Sequence, residues 1–306
     1  MSIERFLYCS FFAGLLFVAL LLCCTQHLSA QQLILDFSSS ATKEKWIAAA
    51  TRSFNESLSK TRSGKVIVVN HRPMGSGDCI DATLLRGEQR HIVSPASTAF
   101  IDIGNARSQA DGAGSLIGPT QNLAFSPVVI VMRLSMAEAL GWPESVLGWN
   151  DIFEMAKRNM DWTSRGHPEW GHFKFAHAKP SYSNSGLVAV LADAHVAKQR
   201  DAPQSVVRHG SFTTGFAQLL SSGNTSAVVL DENQVVDLNS DAGSIEPVVA
   251  LYPREGTVWS DCRFERVGSH REQLVRQVRG LSHGGGTALY DAVKSSYDHL
   301  AHNPRT

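Results

Sequence analysis

Residues 33–58, LILDFSSSATKEKWIAAATRSFNESL, set a short apolar strand directly in front of an amphipathic helix. The strand covers residues 33–37, and the helical segment repeats an apolar side chain every four residues, at Trp46, Ala50, Phe54 and Leu58. That spacing places the apolar side chains on one face of a helix, where they can pack against a sheet. A strand followed by a helix that covers it is the repeating unit of an α/β fold.

The same alternation continues along the chain. Further strands are predicted from apolar runs at residues 66–70, 91–94, 126–132, 173–177, 226–230 and 247–252. A loop rich in Gly, Ala and Ser is predicted over residues 104–119, and it is the first plausible boundary between two lobes. With 306 residues, 43% of them hydrophobic and 18% charged, we expect a globular α/β protein that is large enough for two lobes.

The charge balance bears on possible partners. The 28 Lys plus Arg residues equal the 28 Asp plus Glu residues, so the formal net charge is zero before the 12 histidines are counted. Proteins that bind nucleic acid through its phosphates carry a surplus of positive charge. We therefore expect no nucleic-acid partner.

The N-terminal segment has the pattern of a secretory signal peptide. Residues 1–30 contain Arg5 near the start, an apolar run over residues 11–24, and Leu-Ser-Ala at 28–30. We expect cleavage there and export to the periplasm or the cell exterior. The alternative is an uncleaved anchor that holds the protein at the membrane, because the run over residues 6–24 is close to the ~17–20 apolar residues that span a bilayer.

Two cysteines, Cys79 and Cys262, lie outside this leader. In an oxidising compartment they could form a disulfide. Nothing in the sequence places them within bonding distance, so the pairing stays open.

Three junctions between a predicted strand and a predicted helix consist of hydroxyl, amide and glycine residues. They are Ser-Ser-Ser at 38–40, Met-Gly-Ser-Gly at 74–77 and Tyr-Ser-Asn-Ser-Gly at 182–186. Each could simply cap its helix. In an open α/β sheet, however, such junctions converge at the carboxyl ends of the strands, where ligands bind. Hydroxyls, amides and free backbone N–H groups at helix N-termini suit a polar or anionic ligand.

Eight motifs follow one another in an order that resembles a known family. They are MGSGD (74–78), VSPAS (93–97), LAFSPVVI (123–130), AEALGW (137–142), GHPEWG (166–171), FKFAH (173–177), YSNSGL (182–187) and LYPREGT (251–257). Together they resemble the bacterial extracellular solute-binding domain of the type II periplasmic-binding-protein fold, of the kind fused to a von Willebrand factor type A domain. The resemblance runs from about Gln32 to Asp261.

This resemblance implies two α/β lobes around a cleft, with hinges near Phe125 and Val248. The implied organisation is a signal peptide at 1–30, a first lobe at 31–125 to which residues 248–261 return, a second lobe at 126–247, and a partial von Willebrand factor type A-like segment at 262–306. Closure about such a hinge is a usual response to ligand. No cofactor is implied.

The resemblance also implies which side chains bind the solute. The first-lobe wall is expected to contain Ser39 or Ser40, Ser76 and Ser97, and the opposite wall Ser183, Asn184 and Ser185. Glu232 matches an acidic and amide loop of the family, and its alternative role is that of a solvated loop carboxylate.

Beyond Asp261 the solute-binding pattern stops early. Residues 280–293 instead resemble the threonine loop of a von Willebrand factor type A domain, in which Thr287 matches a metal-holding position. Neither the Asp-x-Ser-x-Ser strand nor the second Asp loop of that domain is present in residues 262–306, and one hydroxyl cannot build an oxygen-rich site. Thr287 is thus expected to be the remnant of an incomplete metal site. Helices are predicted at 271–279 and 287–300, packed on the first lobe or loosely held.

The sequence favours binding over catalysis. No phosphate-binding Gly-Lys loop or dinucleotide fingerprint occurs in it. We expect a non-enzymatic exported protein that captures a small polar or anionic solute and that works with a membrane transport or sensing partner. The alternative is an adhesion or scaffold protein of the von Willebrand factor type A class. His167, Glu169, His172 and His177 could in principle bind a transition metal, although their spacing is not that of a zinc helix.

Overall fold

The computed structural model describes residues 32–84, 90–118, 120–199, 208–210, 220, 225–240 and 246–266. The predicted leader at 1–30, the predicted helices at 271–279 and 287–300, and Thr287 lie outside these residues. None of the helices within the described ranges is long and apolar enough to span a bilayer.

The N-terminal part alternates strands with helices, as the sequence predicted. Its elements are β1 (Gln32–Ser40), α1 (Glu44–Glu56), β2 (Val66–Met74), α2 (Ser76–Leu84), β3 (Ile92–Ser94) and α3 (Thr98–Ala110). β1 lies between β2 and β3 and is parallel to both. Ile47 and Phe54 of α1 are buried against Phe37 and Ile67 of the sheet. The four-residue spacing in α1 therefore does cover the sheet, although Leu58 is 62% exposed beyond the end of the helix.

The C-terminal part begins with a long strand and builds a second sheet. Its elements are β4 (Gln121–Arg133), α4 (Leu134–Ala139), α5 (Trp149–Lys157), β5 (Phe175–Ala178), α6 (Asn184–Gln199), β6 (Arg208–Gly210), β7 (Ala227–Asp231), α7 (Glu232–Ser240), β8 (Val248–Leu251) and β9 (Trp259–Arg266). The strand order is β4-β7-β5-β6, with β8 also paired to β4. Trp149, Phe153 and Trp162 are buried in the core of this part, with Ile130 and Met132 of β4.

Two strands connect the two parts. The first half of β4, from Gln121 to Pro127, pairs with β9, and its second half pairs with β7 and β8. The end of β9 continues into pairing with β3. We call the sheet β2-β1-β3 with α1–α3 the first lobe, and the sheet around β7 with α4–α7 the second lobe.

The pairings of β8 and β9 differ, although the sequence predicted that residues 248–261 return together to the first lobe. Residues 248–251 pair with the second half of β4, whereas β9 is the strand that reaches the first lobe. The limits at 31–125, 126–247 and 248–261, and the hinges near Phe125 and Val248, stay predictions.

The predicted loop over 104–119 is wrong for its first part, because α3 continues to Ala110. Gly104 is a helical residue, and a Cβ atom there would lie 2.6 Å from Cγ2 of Ile80. Gly104 permits α3 to pack closely on α2. A glycine in the sequence can therefore mark a close contact between helices as well as a turn.

Candidate functional site

A cavity of about 190 Å³ lies between the lobes, where the turn Ala41–Lys43 and the N-termini of α2 and α6 meet. Four predicted residues line it: Ser40, Ser76, Ser183 and Ser185. The first amides of a helix have no partner within the helix, and they carry the positive end of its dipole. The cavity is thus suited to hydrogen-bond acceptors and to negative charge.

The lining serines also support their own loops. The hydroxyl of Ser40 accepts a 3.4 Å hydrogen bond from the N–H of Thr42 and so caps the turn. The hydroxyl of Ser76 accepts a 3.0 Å hydrogen bond from the N–H of Ala96. The Oγ atoms of Ser183 and Ser185 are 3.1 Å apart, within hydrogen-bonding distance. Capping and ligand contact, the two readings of the sequence, are therefore compatible at these positions.

Other residues complete the lining. They are Ala41, Thr42, Glu44, Pro73, Met74, Gly75, Tyr182, Leu230 and Gln234. Gly75 and Tyr182 belong to the motifs at 74–78 and 182–187, so the sequence motifs could have indicated that they line the site. Gln234, rather than Glu232, is the member of the acidic and amide loop that reaches the cavity.

Four predicted residues lie outside the lining. Ser39 Oγ is 2.8 Å from Nε2 of His71, on the face of β1 that α1 covers. Ser97 caps α3 by accepting from the N–H of Ala99. Asn184 is buried and donates to Ser260, and the Glu232 carboxylate accepts from the Tyr252 hydroxyl. Their roles as solute ligands stay predictions.

The two walls of the cavity touch. The N–H of Gly77 donates to the carbonyl of Tyr182 at 3.1 Å. A Cβ atom on Gly75 would lie 2.5 Å from the Tyr182 ring, and one on Gly77 would lie 1.8 Å from the Ser181 carbonyl oxygen. The two glycines therefore allow the lobes to meet. Farther out, the Asn233 amide donates to the Thr42 carbonyl at 2.6 Å.

Buried polar groups lie beneath the cavity. Asp231 is 1% exposed, and its Oδ1 accepts from the hydroxyl of Ser260, which in turn accepts from Nδ2 of Asn184 at 2.8 Å. Burial raises the pKa of Asp231 to about 6, although the Ser260 hydrogen bond and the charge of Lys43 act in the opposite direction. Lys43 is also buried, and its Nζ donates to the Pro95 carbonyl at 3.0 Å. Of these groups only Asn184 was singled out from the sequence, whereas Asp231, Ser260 and Lys43 were not.

Both cysteines are buried, and both are free thiols. Burial raises the pKa of Cys79 to about 12 and also raises the pKa of Cys262. The disulfide that the sequence left open is therefore not formed in this structure.

The histidine cluster has structural contacts. The ring of His167 stacks on Trp170 at 3.7 Å, and its Nδ1 lies 2.9 Å from Oε1 of Glu169. The ring of His172 contacts the Asn159 carbonyl, and His177 is buried at the end of β5. Within the described ranges, no three His, Cys, Asp or Glu residues are grouped so that they could hold a metal ion.

A wider and shallower groove of about 500 Å³ runs along the outer side of the first lobe. It is lined by Ala48, Thr51, Arg52, Asn55, Glu56 and His71. Burial, assisted by the charge of Lys43, lowers the pKa of His71 to about 4, so its imidazole is neutral near pH 7. No residue that the sequence predicted as a ligand lines this groove.

Comparison with known proteins identifies the architecture. No family model matches the sequence, and no curated protein matches it. A periplasmic thiamin binding protein superimposes with a TM-score of 0.56 at 11% identity, covering 88% of this chain and 80% of that chain. The sulfate-binding protein SubI from Mycobacterium tuberculosis H37Rv superimposes with a TM-score of 0.54 at 14% identity, covering 89% and 92%.

A third match is the periplasmic binding protein AfuA from Actinobacillus pleuropneumoniae, described with fructose-6-phosphate bound. It has a TM-score of 0.53 at 12% identity and covers 86% of this chain and 78% of that chain. At such identities the likeness establishes the fold alone. The chain has the two-lobed α/β fold of the periplasmic binding proteins, as predicted.

Proposed function

We propose that this protein captures a small polar or anionic solute in the cavity between its lobes and releases it unchanged. The observation that carries the proposal is that Ser40 and Ser76 of the first lobe and Ser183 and Ser185 of the second lobe line one cavity of about 190 Å³. Both lobes thus contribute hydroxyls to one small space. A ligand there would contact both walls, as lobe closure requires.

The lining favours hydrogen-bond recognition. Among the described lining residues only Glu44 is charged, and it lies on the exposed side. The hydroxyls, the Gln234 amide and the helix N-termini offer donors that can hold an oxyanion or a sugar-like group without a lysine or arginine. The volume favours a solute of a few heavy atoms. Two of the matched proteins are described as binding sulfate and as having fructose-6-phosphate bound, and both of these ligands are oxyanions, which supports this class of ligand.

The same lining argues against catalysis. A serine nucleophile needs a base within hydrogen-bonding distance, and it must be reachable by substrate. Ser39 lies 2.8 Å from His71, but its side chain is 0% exposed. The serines of the cavity contact other hydroxyls and backbone amides. Their arrangement supports reversible binding.

The cellular location and the partner of the protein are inferred from its sequence. We infer export through the segment at 1–30, and a membrane transport or sensing partner that accepts the solute. The von Willebrand factor type A-like segment at 262–306, with Thr287, also remains a proposal, because all of it beyond residue 266 lies outside the described residues.

Thermal unfolding of the full chain with sulfate, thiamin, fructose 6-phosphate, amino acids and sugars tests the proposal, since a ligand of the folded state raises Tm. We expect one class to raise Tm, and Ser185→Ala to weaken that binding roughly tenfold through the loss of one hydrogen bond. Ser164→Ala is the matched control, because that exposed hydroxyl donates to the Asp161 carbonyl and does not line the cavity. Equal loss in both variants, or no Tm shift with any class, would contradict the proposal.

A further inference from the structure

Three buried side chains from separate elements form a chain of hydrogen bonds beneath the cavity. Asn184, the first residue of α6, donates from Nδ2 to Ser260 Oγ on β9 at 2.8 Å. The Ser260 hydroxyl donates to Oδ1 of Asp231 at the end of β7. We call Asn184, Ser260 and Asp231 the buried relay. Their exposed fractions are 2%, 0% and 1%.

The relay is connected to the cavity at both of its ends. Asn184 stands between Ser183 and Ser185, both of which line the cavity. At the other end, the N–H of Asp231 donates to Oε1 of Gln234 at 3.2 Å, and Gln234 is also a lining residue. The middle member lies on β9, which pairs with β3 of the first lobe and with the first half of β4, whose second half belongs to the second-lobe sheet. The relay therefore joins two lining loops to a strand between the lobes.

The direction of the relay depends on the charge of Asp231. An ionised carboxylate only accepts hydrogen bonds, so the Ser260 hydroxyl must donate its one hydrogen bond to Asp231. The lone pairs of Ser260 then accept from Asn184, which fixes the orientation of that amide. The other carboxylate oxygen, Oδ2 of Asp231, is buried and has no hydrogen-bond partner among the described residues. A buried carboxylate oxygen without a donor disfavours the charged form.

We propose that Asp231 is a positioning residue for the cavity, and that solute binding is coupled to the uptake of a proton at its Oδ2. The proposal rests on the proposed function. Lobe closure is the step that links the two events. Thr42 and Lys45 of the first lobe contact Asn233 and Asp237 on α7, directly after Asp231. Separation of the lobes would bring water to this region and so favour the ionised carboxylate.

The charges around Asp231 support the sign of this coupling. Lys43 approaches from the first lobe and favours the ionised form, as does the Ser260 hydrogen bond, yet burial outweighs both. The neighbouring elements also carry titratable groups: Asp261, Cys262 and Arg263 on β9, Glu232 and Asp237 on α7, and His177 on β5. A protonated Asp231 also removes a negative charge from beneath an anionic solute. Both effects favour binding at low pH.

Calorimetric titration of the full chain with sodium sulfate between pH 5.0 and 8.0 tests the coupling. We expect the affinity of the wild type for sulfate to fall roughly tenfold from pH 5.0 to pH 8.0. Proton uptake should appear as a dependence of the observed binding enthalpy on the ionisation enthalpy of the buffer. Asp231→Asn keeps the acceptor for Ser260 and cannot titrate, so its affinity should not vary. Asp102→Asn, at an exposed position of α3, is the matched control, and it should retain the wild-type pH dependence. A pH-dependent Asp231→Asn variant would overturn the proposal.

A second measurement separates this proposal from the proposed function. Without any solute, Tm of the wild type should fall from pH 5 to pH 7.5 relative to Tm of Asp231→Asn. If this difference is seen but sulfate does not bind at any pH, the proposed anion binding fails while the titration of Asp231 stands. Parallel Tm curves without solute, together with a sulfate affinity that does not vary with pH, would overturn the role of Asp231.

Discussion

The main-chain N–H of Gly77 donates a hydrogen bond of 3.1 Å to the carbonyl of Tyr182 and so joins the first residues of α2 to the opposite wall of the cavity. No side chain intervenes, and the approach is closer than any other residue type would allow. A Cβ atom at position 77 would lie 1.8 Å from the main-chain oxygen of Ser181. Contact between the lobes therefore depends on a glycine.

Gly77→Ala should hold the walls of the cavity apart. The clash is with backbone, which cannot rotate away as a side chain could, so we expect solute affinity to fall more than tenfold while each lobe remains folded. Small-angle X-ray scattering should show a larger radius of gyration. Gly118→Ala is the control, because a Cβ atom there has no neighbour within 4 Å. Wild-type affinity and radius in Gly77→Ala would show that the lobe contact is not needed.

The fold was predictable because its signal is local. The strand and helix within residues 33–58 follow from side-chain spacing alone, and both are present. The site was only partly predictable, since the three serines at 38–40 cannot be told apart by type. Alternation along β1 turns Ser39 toward His71 and α1, whereas Ser40 lines the cavity. Which serine faces the ligand depends on the position of the strand in the sheet.

Asn184 was predicted as a ligand, but its hydrogen bonds to Ser260 and on to Asp231 were not predictable, for a different reason. Asp231 and Ser260 are 29 residues apart, and Asn184 and Ser260 are 76 apart, so no local spacing relates them. Each has a common alternative role, such as ending a strand or capping a helix. Only the pairing of β9 with β4 brings Ser260 beneath the cavity.

His71→Gln should reduce the loss of stability in acid. The folded chain holds the pKa of His71 at about 4, against 6.5 for the free side chain, so between these values the unfolded chain binds the extra proton. Stability from this group is therefore complete above about pH 6.5 and is lost as the pH falls toward 4. Urea midpoints at pH 5 and pH 7.5 measure it, and the gap between them should be smaller in His71→Gln. An unchanged gap would mean that His71 titrates normally.

The Asp231 carboxyl changes the folding stability with the opposite sign over an overlapping pH range. Its pKa is raised from 3.8 to about 6, so the folded chain binds the extra proton between these values, and stability falls as the pH rises through them. The two effects partly cancel in the wild type. The double variant His71→Gln with Asp231→Asn should thus show a flatter stability profile from pH 4 to pH 6.5 than either single variant.

Glu255→Ala should destabilise the second lobe by about 1 kcal/mol, the usual effect of losing an N-terminal helix cap. Its carboxylate accepts from the N–H of Trp149 at 2.9 Å and from that of Asn150 at 3.3 Å, at the start of α5. Chemical denaturation followed by tryptophan fluorescence measures the change. Glu144→Ala, at an exposed position nearby, serves as the control and should leave the denaturation midpoint unchanged. Equal midpoints for the two variants would exclude the capping role.

Cys79 and Cys262 should both be unreactive toward iodoacetamide in the folded protein. The thiolate is the reactive form, and burial raises the pKa of both thiols while denying the reagent access. Peptide mapping by mass spectrometry should find both residues unmodified under native conditions and both modified in concentrated guanidinium chloride. A disulfide would leave them unmodified in both conditions until a reductant is added. That result would mean that the buried thiols pair after export, against the free thiols of this structure.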